Sequence, residues 1–283
     1  MNRIIRKKSL NPTVTLMEVD APLVAAKAEP GQFIILRTRP DGERIPLTIA
    51  DFDRQKGRVT IIFQIVGGTT FELNRLEEGG FIQDFVGPLG NPSLCDAKKV
   101  AVIGGGVGSA IAYPVTKKFF SSGAVVHAIT GFRTRDLVIL EDEFKQVSSE
   151  FFLVTDDGTW GQKGLVTEAL QRLIDRGEKY DEVIAIGPLI MMKFVAALTK
   201  PLGIKTVISM NPIMIDGTGM CGGCRLSVGG KTKFACVDGP DFDGHEVDFA
   251  EAMARGAMYK PFELKAYDDA CKLLSETGLK EAG

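Results

Sequence analysis

At Lys98 the sequence changes texture, and that change limits the fold more than any other feature. Lys98-Lys99-Val-Ala-Val-Ile103 has the continuous apolar character of a strand buried on both faces. It runs directly into Gly104-Gly105-Gly106-Val107-Gly108 and then into an apolar helical stretch. Beyond it, strand-like segments (Ala124–Ile129, Phe151–Val154, Asp181–Ile186) alternate with helical ones (Glu141–Val147, Leu165–Arg176, and one opened by Gly187-Pro188 that runs through Leu198). Strands alternating with helices imply a parallel sheet covered on both faces. Glycines between a strand and a helix let backbone approach a pyrophosphate at a helix N-terminus. The strict G-x-G-x-x-G pattern is not met, because Ser109 takes the last position. No acidic residue ends the second strand, which continues as Gly131-Phe132-Arg133-Thr134-Arg135. By itself the turn is a weak signal, equally a tight turn in any α/β protein.

Upstream of Lys98 the pattern is β. Phe33–Leu36 and Val59–Ile65 are rich in β-branched and aromatic residues, and Pro30-Gly31, Pro40-Asp41-Gly42 and Gln55-Lys56-Gly57 break the chain at barrel-like spacing. One short helix is expected to include Glu72–Leu76. Arg44-Ile45-Pro46-Leu47-Thr48 enters a strand; such an arginine can pair with a flavin pyrophosphate, and such a threonine can hydrogen-bond a flavin ring edge. Val66-Gly67-Gly68-Thr69-Thr70 precedes the short helix as a second candidate phosphate turn. Turn chemistry alone also accounts for both segments.

The third informative segment follows Asn211. Asp216, Cys221, Cys224 and Cys236 form D-x4-C-x2-C-x11-C among glycines. Plant-type ferredoxin clusters use C-x4-C-x2-C…C, so Asp216 stands where the first cysteine would. A structural zinc could use the same four donors, and Asp216 could serve only the turn. Three donors crowded into one loop favour a cluster. Cys95 and Cys271 stand apart and read as packed residues. His127 falls in an expected buried strand, and His245 has no metal-spaced partner. A hairpin is expected around Gly229-Gly230, and the tail from Phe249 reads as peripheral and partly helical.

The 283 residues suffice for two or three domains. The expected boundaries are a β-barrel at 1–96, a nucleotide-binding α/β domain at 97–208, and a cluster domain with tail at 209–283. A net charge of −2 without a basic block gives no sign of nucleic-acid binding. With no apolar signal core at the N-terminus and no apolar run long enough to span a bilayer, a cytoplasmic protein is expected, with no membrane association.

R-x-P-L-T, G-x-T-T before a helix, G-G-G-V-G-S and Thr155-Asp156-Asp157-Gly158 together resemble the ferredoxin–NADP reductase superfamily. Within it the chain is similar to electron-transfer subunits of dihydroorotate dehydrogenase, whose C-terminal 2Fe–2S loop has four cysteines at this spacing. With Asp216 in the first position, it resembles the small (alpha) subunit of NADH-dependent, electron-bifurcating ferredoxin:NADP oxidoreductases, in which one Asp and three Cys hold the cluster. The match covers nearly the whole chain; the cluster motif is its specific part. The resemblance implies FAD on Arg44, Pro46, Leu47 and Thr48, with Gly67, Thr69 and Thr70 near its phosphates. It implies NAD(H) on Gly105, Gly106 and Gly108, with Asp156, Asp157, Gly187 and Pro188 lining the cleft. Arg133 and Arg135 sit where relatives specific for NADP read a 2′-phosphate, so the residues themselves leave NAD versus NADP open. The resemblance further implies a 2Fe–2S cluster on Asp216, Cys221, Cys224 and Cys236. It also implies a larger iron–sulfur flavoprotein partner that handles NADPH and ferredoxin. No protein side chain is expected to do the chemistry, which the flavin carries.

Overall fold

The computed structural model describes residues 2–263 and 265; Cys271 lies outside them. The first strands are β1 (Asn2–Asn11) and β2 (Val14–Asp20), followed by a single turn α1 (Pro22–Ala25), β3 (Phe33–Arg37), β4 (Ile45–Asp53) and β5 (Arg58–Gln64). Then come α2 (Gly68–Asn74), β6 (Phe81–Ile82) and β7 (Asp84–Leu89). All pairings are antiparallel, in the order β6-β1-β2-β5-β4-β3-β7. The two edge strands are separated in sequence by Gln83 alone, so the sheet must curl into a nearly closed barrel. Its interior is filled by Ile4, Met17, Val19, Ile34, Leu36, Ile49, Ile61 and Phe63. The helix α2 begins four residues before the expected Glu72, because the Thr70 hydroxyl accepts from the N–H groups of Val66 and Gly67 and fixes the first turn.

The second sheet contains β8 (Lys99–Gly105), β9 (Val125–Phe132), β10 (Glu150–Thr155), β11 (Gln162–Lys163), β12 (Glu182–Ile186) and β13 (Lys205–Ser209). Between them lie α3 (Gly108–Ser121), α4 (Glu141–Gln146), α5 (Val166–Asp175) and α6 (Leu189–Thr199). The order is β11-β10-β9-β8-β12-β13, all parallel. The unbroken apolar run of β8 follows from burial on both sides. Val100 and Val102 pack with Val115 and Phe119 of α3, while Ala101 and Ile103 pack with Leu170 of α5 and Met192 of α6.

The remaining chain forms the hairpin β14 (Arg225–Val228) and β15 (Lys231–Phe234), a short strand β16 (Asp241–Asp243) and α7 (Phe249–Ala257). The strand β16 adds antiparallel to β13, so the parallel sheet acquires one antiparallel edge. The helix α7 is not peripheral, contrary to the sequence expectation. Phe249 is buried, Met253 packs on the same core, and α7 lies against α6 and β14. Barrel and sheet share a further apolar seam, with Val14, Ala50 and Ile62 of the barrel against Ala110, Phe132 and Ile139. His127 is buried in β9, its Nδ1 2.8 Å from the Tyr180 hydroxyl, and His245 Nε2 lies 3.0 Å from Thr199 Oγ1.

Candidate functional site

The loop from Asp216 to Cys224 is built on glycines at positive φ (Gly217, Gly219, Gly222), which let it turn tightly enough to gather its donors. The Asp216 carboxylate accepts from the N–H groups of Thr218 and Cys221, both at 2.6 Å. The Thr218 N–H is the chief reason its carboxyl is held below the usual carboxylate range. Cys224 and Cys236 are buried with sulfurs 3.2 Å apart, well beyond the ~2.05 Å of a disulfide. Cys221 is exposed, and its Sγ accepts from the Gly223 N–H at 3.4 Å. Burial, reinforced by the neighbouring Cys224, pushes the Cys236 thiol up to about 12. A metal ion would displace that proton.

The loop is seated on the barrel. A Cβ on Gly217 would lie 2.8 Å from Leu89 Cδ1 and 2.9 Å from Ile35 Cγ1, so glycine is what lets the loop lie flat on β3 and β7. Ile35 pairs with Pro46, and Phe33 with Thr48. Ile45 and Leu47 pack on the barrel core, so by strand alternation Pro46 and Thr48 face outward on the same side as the cysteine loop. Arg44 is exposed at the entrance to β4. Thr69 at the start of α2 donates to Glu43 Oε2 at 2.9 Å, which ties the Gly67–Thr70 turn to the Arg44 segment. A Cβ on Gly67 would meet nothing within 4 Å.

The nucleotide-type residues collect at the carboxyl ends of the parallel strands. Strand order reverses between β8 and β12, and an open α/β sheet binds ligands in the crevice at such a point. Gly105 ends β8 there with Gly106 just after it, and Gly187 and Pro188 follow β12. These glycines serve different ends. A Cβ on Gly105 would come within 2.4 Å of Met191 Sδ, and one on Gly108 within 2.5 Å of the Ile186 carbonyl oxygen. Both permit close packing. Gly106, at φ 55°, faces open space. Arg133 is exposed just past β9, and Asp156 and Asp157 follow β10, bonded through backbone to Phe132 and Arg133. The Asp157 carboxylate is engaged in its own turn by the N–H and hydroxyl of Thr159.

Residues 211–248 match the model of the iron–sulfur cluster binding domain of dihydroorotate dehydrogenase B. A Thermotoga maritima homolog of the electron transfer subunit of dihydroorotate dehydrogenase B (NAD(+)) is 44% identical, over 98% of both chains. The Fusobacterium nucleatum electron transfer subunit itself is 33% identical, over 82% of this chain and 92% of its own. This chain belongs to that electron-transfer-subunit family. A solved chain of the NADH-dependent reduced ferredoxin-NADP oxidoreductase, described for flavin-based electron bifurcation, superposes with a TM-score of 0.90 at 43% identity. That superposition covers 95% of this chain and 97% of the solved one.

The family's cluster reading fits the donor set here. The Cys224 and Cys236 sulfurs form a close buried pair, Asp216 and Cys221 lie in the loop that leads into Cys224, and the Gly223 N–H already bonds the Cys221 sulfur. The open faces of Gly67 and Gly106 likewise leave room for phosphates where a side chain would fill it. Trp160, which the sequence does not single out, lies in the loop after β10 and bonds Thr155. Arg135 stacks over its ring at 4.4 Å, and its Nε1 donates to Glu141 at 2.8 Å. Arg135 is therefore held on an indole rather than standing free beside Arg133. A lone exposed Trp after Asp156-Asp157-Gly158 was the available signal.

Proposed function

We propose that this chain is the FAD- and 2Fe–2S-containing, NADH-linked subunit of an electron-bifurcating ferredoxin:NADP oxidoreductase. FAD supplies two-electron hydride chemistry that can be released as single electrons, and the cluster carries one electron at a time. Arg44, Gly67, Thr69 and Thr70 would hold the flavin phosphates, with Pro46, Leu47 and Thr48 against the ring system. Gly105, Gly106, Gly108, Gly187 and Pro188 would receive the nicotinamide nucleotide, with Asp156, Asp157 and Arg133 along its ribose end. Asp216, Cys221, Cys224 and Cys236 would hold the cluster. The exposed side chains of Ile215, Met220 and Val237 rim that loop and suit contact with a larger subunit that handles NADPH and ferredoxin.

One observation carries the reading. The donor loop is seated through Gly217 on barrel strands adjoining Pro46 and Thr48, and the sheet's crevice opens beside the same barrel through the Ala50–Ala110 seam. An anaerobic preparation should therefore contain about one FAD and two irons per chain, and NADH should bleach both chromophores. A colourless protein with a single zinc would overturn this. Names of relatives support a second reading, an electron-transfer subunit for dihydroorotate oxidation. Co-purification decides between them: a large iron–sulfur flavoprotein supports the first, a dihydroorotate-oxidising flavoprotein the second.

A further inference from the structure

We infer that α7 belongs to the support of the cluster loop, and that Arg255 is a positioning residue that sets the cluster's retention and reduction potential. The inference rests on the cluster reading above. The matched family domain ends at residue 248, one residue before α7 begins. Yet α7 is fastened to the cysteine segment at three points. Asp248 N–H donates to the Ser227 carbonyl, Ser227 N–H donates to Glu251 at 3.0 Å, and Arg255 Nη2 donates to the Gly223 carbonyl at 3.1 Å. The helix itself is held by the Asp248 side chain, which caps it by accepting from the Glu251 N–H, and by buried Phe249.

The Arg255 contact falls at a consequential place. Gly223 lies between Cys221 and Cys224, and its N–H points at Cys221 Sγ. A Cβ on Gly223 would make ordinary contact with that sulfur, at 3.4 Å, and with the Ile213 carbonyl oxygen, at 3.6 Å. The guanidinium thus holds the carbonyl of Gly223 while the N–H of the same residue holds the Cys221 sulfur. Arg255 sits in the last turn of α7, where a cation is already favoured by the helix dipole. A fixed positive charge and an oriented N–H···S bond both favour the more negative, reduced form of a cluster. Removing Arg255 should thus loosen the Cys221–Cys224 segment and make the cluster harder to reduce.

The test uses the full-length holoprotein. Arg255→Met keeps a long, helix-compatible stem and removes charge and donors; Arg255→Lys keeps the charge. Redox titration followed by the signal of the reduced cluster, with the rate of bleaching by a chelator, gives two readouts independent of turnover. Arg255→Met should shift the reduced-to-oxidised ratio at a fixed poise about tenfold toward oxidised, equivalent to about 59 mV for one electron, and bleach faster. Arg255→Lys should keep most of the wild-type potential. A merely structural role in α7 predicts faster bleaching without that negative shift, and this result, or a Met variant equal to wild type, would overturn the inference. A wild-type protein with no cluster spectrum would instead remove the functional reading beneath it.

Discussion

Asp216 offers the most decisive perturbation, because its carboxylate would do two jobs at once. It accepts two backbone N–H bonds at 2.6 Å and would also supply a ligand oxygen. Bonds to an ionised acceptor contribute about 1.5–3 kcal/mol each. The residue is partly exposed, so solvent screening roughly halves this, leaving about 1.5–3 kcal/mol for the pair. Asp216→Ala loses that sum and the proposed ligand; loop disorder alone weakens cluster retention by about 10- to 150-fold. Asp216→Cys restores a ligand of equal formal charge but cannot reproduce two strong acceptor contacts, so it should hold a cluster with an altered potential and intermediate lability. Iron and sulfide content, chelator-driven bleaching and the potential of anaerobically prepared protein measure these effects. If Asp216→Ala matches wild type in iron content, bleaching rate and spectrum, Asp216 is neither ligand nor loop clasp.

Other perturbations test the crevice and the core. Gly108→Ala drives a methyl into the Ile186 carbonyl and Gly187, both backbone, and should cost about 1–3 kcal/mol. Its thermal midpoint should drop and NADH titration should weaken; an unchanged midpoint would contradict the close packing described for α3. Burial is the chief cause that lowers the His127 pKa below its usual value, although Glu150 opposes it. The unfolded chain then binds the proton more readily, so stability is full above about pH 6.5 and declines as pH falls from there toward the folded-state value. His127→Gln should flatten the loss of thermal midpoint between pH 7 and pH 5, and equal slopes for the two proteins would count against this account.

Much of the α/β half was legible because β8 and β12 are buried on both faces and β9 nearly so, and because the glycines mark chain reversals. The elements that escaped notice have local sequences that say little. The strand β16 is Asp-Phe-Asp, with one apolar residue; it forms because the edge of β13 offers unpaired backbone groups. The start of α2 lies in Gly-Thr-Thr, poor helix formers whose side-chain hydrogen bonds decide the matter. In the candidate site, residue types and spacing single out the four proposed cluster donors. Which glycines are open and which merely allow packing required the neighbours: Gly105 and Gly106 are adjacent in sequence, yet only Gly106 faces space. Arg255 was invisible because its partner is a backbone carbonyl 32 positions away, and carbonyl partners leave no imprint on composition.

The segment leaving the barrel is laced to the segment that follows the last cysteine. Asn91 bonds the carbonyls of Gly239 and Val237, and Ser93 Oγ donates to Asp241 at 2.5 Å. Chain synthesis delivers these partners some 150 residues apart, the barrel first. Cys236 can reach its final position only after the barrel exit and the edge of the sheet are both in place. Iron uptake is thus expected to follow closure of both tethers, and a chain with a misfolded barrel should take up no iron.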